Sequence, residues 1–314
     1  LSANVDHALV QVQNISVRDR VVGGIAGLGY GDITNSAVSV EIISAGTSEV
    51  GGAAGVLGGN CTNVFIHADS VSGHSVTGGI AGYVSPYMGE VVAISHSLSA
   101  VQFISGTTAV GGIAGGLENP YDPVEMTYHI GLDNVLSLSQ YVNGTAGVGR
   151  IIGSINATRN WEVSDSSFIL GDPSNGLEFD AANIYAWGSM MNSSYPFIDD
   201  EILNGISVSS LQFWNNQAFF EETLGWDFEH TWKMNSGNDK YQLPVLQFQT
   251  TPVSGDASYL LGESAEPTPT PTPTPEKPAA PTLTPPASLS ADAEETTNTV
   301  AETNAATKAE VGYQ

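Results

Sequence analysis

Between about residues 20 and 170 the apolar positions show no 3.6-residue stripe; they fall in short runs with a period of two, rich in β-branched side chains. Val38, Val40 and Ile42 alternate, as do Val64 and Ile66. Val92, Ile94 and Leu98 share one parity, and Leu136 and Leu138 alternate again. Period two with such residues predicts half-buried strands. Each run follows a glycine-rich phrase. The phrases are Val22-Gly-Gly-Ile-Ala-Gly27, Val50-Gly-Gly-Ala-Ala-Gly55, Thr77-Gly-Gly-Ile-Ala-Gly82 and Val110-Gly-Gly-Ile-Ala-Gly115, with a degraded fifth, Val148-Gly-Arg-Ile-Ile-Gly153. Their first glycines, Gly23, Gly51, Gly78, Gly111 and Gly149, are separated by 28, 27, 33 and 38 residues. Gly24, Gly52, Gly79 and Gly112 complete the pairs, and Arg150 replaces the fifth.

Repetition at this period is the signature of a stacked architecture. One unit cannot bury its own apolar face, whereas successive coils, with strands about 4.8 Å apart, share a lining. The pattern therefore predicts an all-β fold: a parallel β-helix or solenoid, of the right-handed type, with about five repeats. Glycine beside Ile or Ala suits a narrow interior with tight corners. Asn35 and Asn63 each lie 12 residues past their first glycine, and Asn134 and Asp165 read as the same turn displaced by longer loops. Stacked asparagines at left-handed turns can hydrogen-bond along a ladder. Arg150 in the fifth copy marks a terminal coil.

The glycine phrases resemble GLUG-motif repeats, found in adhesin-like bacterial and archaeal surface proteins and in the non-catalytic part of some immunoglobulin-A-cleaving metallopeptidases. The resemblance covers roughly residues 20 to 170. It implies an extracellular chain, associated with a cell surface or cell wall, and a non-catalytic role in adhesion or display.

Three segments follow. Residues 1–170 hold the repeats. Residues 171–250 hold most of the five tryptophans and the aromatic phrase Leu224-Gly-Trp-Asp-Phe228, Trp232 and Leu243-Pro-Val-Leu246. Such a module is expected to cap the last coil and block edge-to-edge pairing. Residues 251–314 form a Pro/Thr-rich linker, alternating strictly from Pro267 to Pro275, and a tail with the composition of disorder. Leu1 opens directly into strand-like sequence, so the chain is expected to be a monomeric piece of a longer precursor.

Charge narrows the partners. Lys and Arg number 8 against 33 Asp and Glu, a formal net charge of −25, which repels phosphate backbones and anionic lipid. No nucleic acid and no membrane insertion are expected. Cys61 stands alone, so no intrachain disulfide forms, and it reads as a small buried residue.

No catalytic residue, metal site or cofactor is predicted. None of the six histidines precedes a glutamate in the spacing a zinc peptidase needs. A structural spacer within a larger surface enzyme is the first alternative and a carbohydrate-active β-helix enzyme the second, for which Asp199, Asp200 and Glu201, or Glu221 and Glu222, could supply paired carboxylates. Adjacent acids are more often a solvated turn or helix start. The candidate binding residues are Tyr30, Tyr83, Tyr87 and Tyr121, in loops after the glycine phrases with Asp32, Glu90, Glu118 and Asp122 nearby. Insertions at one position of a repeat emerge on one face, and exposed rings beside carboxylates suit a glycan or a host surface protein.

Overall fold

The computed structural model describes residues 2–18, 21–46, 49–86, 91–117, 128–155, 177–194, 196–197, 200–237, 239–250, 253 and 255–261. All of them lie in one compact unit, Leu1–Glu266. The Pro/Thr run and the tail lie outside the described residues.

The chain forms a parallel β-solenoid. Each full turn contributes one long strand and two short ones, which stack into a ten-stranded and two five-stranded sheets. The long sheet runs through Val5–Asp6 and Leu9–Val17, Ile33–Ala45, Cys61–Ser72, Val91–Ser95 with Leu98–Ser105, and Tyr128–Ser137 with Tyr141–Asn143. It continues into Leu177–Trp187 and Ile206–Val208. The register is one to one: Ala37 pairs with Phe65, Phe65 with Leu98, Leu98 with Leu136, and Leu136 with Tyr185. Val38, Ile43, Val64 and Ile66 point into a core shared between turns and are fully buried.

The glycine phrases make the two short sheets and the corner between them. A Cβ on Gly52 would meet the Gly79 carbonyl of the next turn and the Ile66 side chain, and one on Gly79 would meet the Gly112 carbonyl and the Ser99 hydroxyl. Only a residue without Cβ passes there. Above Arg150 that neighbour is gone. Val148–Gly149 and Ile152–Ile155 are the last members of their sheets, and the next level is a short helix, Glu201–Asn204. Arg150 donates its amide to Asn204 Oδ1 at 3.0 Å, and Ile151 donates to the Leu203 carbonyl at 2.9 Å. The arginine therefore sits where the short sheets end.

A second corner lies within the long strands. One residue per turn adopts positive φ there: His7, Asn35, Asn63, His96, Asn134 and Asn183. Asn and His are among the side chains that tolerate this region. The ladder continues past Asn134 at Asn183, while Asp165 lies outside the described residues. Two turns use histidine, so a search for Asn and Asp alone passes over them.

The aromatic cluster of the C-terminal module covers the outer side of the long sheet, while the helix Glu201–Asn204 of the same module stands over the end of the short sheets. Phe213, Phe219, Phe220, Trp226, Trp232, Tyr241 and Leu246 form one cluster with Ala37, Phe65, Leu98, Leu136 and Trp187, which come from five successive levels. The reason is in the outward columns: Phe65, Leu98 and Leu136 are apolar where water-facing strands carry polar residues, and each fully buried side chain contributes about 1.5–3 kcal/mol. Trp226 Nε1 donates to the Asn134 carbonyl at 2.9 Å, and the Tyr259 hydroxyl to the Leu138 carbonyl at 2.7 Å. The folded chain also runs past residue 250, since Val253, Ala257 and Leu260 are buried in this cluster. Leu177–Trp187 likewise carries the solenoid past residue 170.

Candidate functional site

Of the four loop tyrosines, the two among the described residues, Tyr30 and Tyr83, differ in exposure. Tyr30 follows the strand Ala26–Gly29, is 41% exposed and rests over Gly58, where a Cβ would lie 2.7 Å from its Cδ1. Tyr83 lies inside the strand Ala81–Val84 and is 5% exposed, in a cluster with Val56, Val76 and Ala109. Its expected exposure is thus corrected. Tyr83 is an inner member of its sheet, between Val56 on one turn and Gly116 on the next, whereas Leu28, the exposed member of the same column, lies on the edge strand that leads into Tyr30. Proximity to the glycine phrase concealed that the strand continues through residue 84. Tyr87 and Tyr121 lie outside the described residues, as do Glu90, Glu118 and Asp122.

Of the paired acids, Asp200, Glu201, Glu221 and Glu222 lie among the described residues. Asp200 caps the helix Glu201–Asn204, its Oδ1 accepting from the Ile202 and Leu203 amides at 2.9 and 3.1 Å. Glu221 and Glu222 lie exposed within the short π-helical turn Phe219–Thr223. Asp199 lies outside the described residues. Among the described residues no three His, Cys, Asp or Glu side chains are placed to hold a metal ion. Cys61 is fully buried in the shared core, and burial pushes its thiol far above the ordinary value.

A cleft of about 300 Å³ opens where the short sheets stop, lined in part by Arg150, Met190, Phe197, Asp200 and Glu201. The guanidinium within it donates to Ser207 Oγ at 2.8 Å and to the Gly205 carbonyl at 3.0 Å. Burial lowers its affinity for a proton. These bonds make Arg150 a pin between the last glycine phrase and the segment that closes the coil.

The Asn corner is the most ordered polar array. Asn35 donates to Asp6 Oδ1 at 2.9 Å, and Thr34 donates to the same oxygen at 2.8 Å. These bonds, with one from His7, hold the exposed Asp6 carboxyl at about 2. Farther along, Asn134 lies 3.2 Å from His96 Nε2 and accepts from Asn183 at 2.9 Å. A second ladder runs beside it: Asn4, Asp32 and Asn60 each accept a backbone amide from the next turn, at 3.0, 2.8 and 3.0 Å.

The sharpest electrostatic feature lies under the aromatic cover. His67 stands on the outer side of Cys61–Ser72, is 3% exposed, and has its ring 5.1 Å from that of Tyr241 at 82°. Desolvation lowers the imidazole to about 4, against a smaller upward pull from Asp256. Neighbouring Asp69 is raised by burial first, then by Glu41 and Asp256.

Compared with models of protein families, with curated proteins and with solved structures, the chain shows no match. The solenoid defines the class of protein; the resemblance of its glycine phrases to GLUG repeats rests on those residues alone.

Proposed function

We propose that this chain is a non-catalytic, extracellular segment for adhesion or display, built on a GLUG-type repeat and associated with a cell surface or wall. The observation that supports this most is the long sheet, seven levels tall, six of which turn at a positive-φ Asn or His corner. Such a rod holds whatever it carries at a fixed distance and direction. The net charge of −25 directs it toward neutral glycans or cationic protein surfaces rather than phosphate-rich partners.

A second reading, a structural spacer within a larger surface enzyme such as an immunoglobulin-A-type metallopeptidase, is favoured by one observation. Tyr83 is buried, so the described tyrosines supply no shared platform. Exposing the purified chain to glycan, polysaccharide and host-matrix panels separates the readings. Retention without turnover is expected for an adhesin; retention on none of them leaves the spacer, and released oligosaccharides would point to an enzyme instead.

A further inference from the structure

Outward columns that face water in a solenoid normally carry polar side chains, yet here Phe65, Leu98 and Leu136 are apolar and wholly covered by the C-terminal module. Among them stands one titratable ring. His67 is roofed by Gly255, which approaches so closely that a Cβ there would overlap the imidazole, and by Tyr241 edge-on. Phe65 lies beside it with the ring planes near parallel and centroids 6.5 Å apart. Its Nδ1 is buried and has no hydrogen-bond partner among the described residues. A proton added at that nitrogen would find no acceptor among the described residues.

We propose that the C-terminal cover is an acid-released clasp: neutral His67 lets Gly255 and Tyr241 close over it, and protonation of His67 lifts the cover and bares Phe65, Leu98 and Leu136. The solenoid beneath keeps its own ladders and stays folded.

The direction follows from linkage. The ring's value falls from 6.5 when free to about 4 when covered, so between those pH values the released form binds the proton and the covered form does not. Stability of the covered form is full above 6.5 and is lost progressively as pH falls toward 4. The other charged groups facing this region act differently. Asp256, 3.5 Å from Lys240, is lowered chiefly by its bonds to Ser258, so it loses its contribution only below the ordinary carboxylate range, under the histidine window. Asp69 is raised, beside Glu41 and Asp256, so its protonation relieves repulsion and opposes release. Tyr241 and Tyr259 are pushed upward and stay neutral throughout.

The test follows the full 314-residue chain through urea at pH 7.5 and 5.0. Near-UV circular dichroism reports the cover, through the stacked Trp226 and Trp232 at 4.4 Å, and far-UV reports the strands. Expected is a near-UV transition that precedes the far-UV one at pH 5.0, with the covered-to-released ratio roughly 30-fold lower than at pH 7.5. His67→Gln, which cannot take up the proton, should abolish the shift. His67→Leu, matching Leu138 in the same column, serves should the glutamine variant fail to fold. Coincident near- and far-UV transitions at both pH values would overturn the proposal, as would a shift that survives in either folded variant.

Discussion

Asn63 donates from Nδ2 to Asn35 Oδ1 at 3.0 Å, joining two residues 28 apart in sequence at the same corner of adjacent turns. Both have positive φ, 55° and 45°, so the corner demands a left-handed conformation and the side chain that tolerates it also ties the turns together. Register and corner are thereby set by one residue type.

These two contributions can be separated. Asn63→Gly keeps the backbone conformation and removes the ladder bond, and should cost about 1 kcal/mol. Asn63→Val forces a β-branched residue into the left-handed region and should cost about 2 kcal/mol more. Urea unfolding followed by far-UV circular dichroism measures both, and equal losses would show that the corner imposes no conformational demand.

The glycine phrases carry a positional prediction. Gly79→Ala places a methyl against the Gly112 carbonyl and the Ser99 side chain, in the middle of the stack. It should destabilise by about 3 kcal/mol or abolish folding. Arg150→Ala, at the end of the short sheets, loses two hydrogen bonds and should cost about 1–2 kcal/mol. Thermal melts of the two proteins compare them directly; a larger loss at Arg150 would contradict the role assigned to the glycines.

Tyr83 and Tyr30 should part in the same way. Tyr83→Ala opens a cavity beside Val56, Val76 and Ala109 and should cost about 3 kcal/mol. Tyr30→Ala, at a position 41% exposed, should cost under about 1 kcal/mol. Matched denaturation curves check this. A near-neutral Tyr83→Ala would return that residue to the surface.

The Asp6 carboxyl offers a local readout. It is held at about 2 first by Asn35, then by Thr34 and His7. Because its folded value is depressed, its contribution is present above the ordinary value of 3.8 and is lost as pH falls through about 2. Asn35→Ala should move its titration upward toward 3.8, read by carboxyl carbon NMR. An unmoved titration would mean that the ladder does not bind this carboxylate.

The repeat, its parallel stacking and the end of the short sheets at Arg150 were legible, because the same steric demand for glycine recurs at each turn and lapses at Arg150. Alternation was a less certain guide to which side a residue faces. Val64 and Ile66 enter the shared core, yet Leu98, grouped by parity with Val92 and Ile94, lies under the outer cover. The positive φ at His96 lies between them and breaks the count. Ile42, in step with Val38 and Val40, is 41% exposed, and Ile43 takes the inward place. The course of the aromatic module was also hidden, since periodicity within a strand says nothing about a partner some 150 residues later. Its one visible trace was the outward apolar column itself, Phe65, Leu98 and Leu136.

That module alters how the rod can come apart. In a solenoid whose turns touch only their neighbours, loss can begin at either end and travel one rung at a time. Here Ala37 and Trp187, at nearly opposite ends of the long sheet, share a single roof. Fraying of the outermost strands therefore meets a brace that also grips the middle, and tension along the axis must break several levels together.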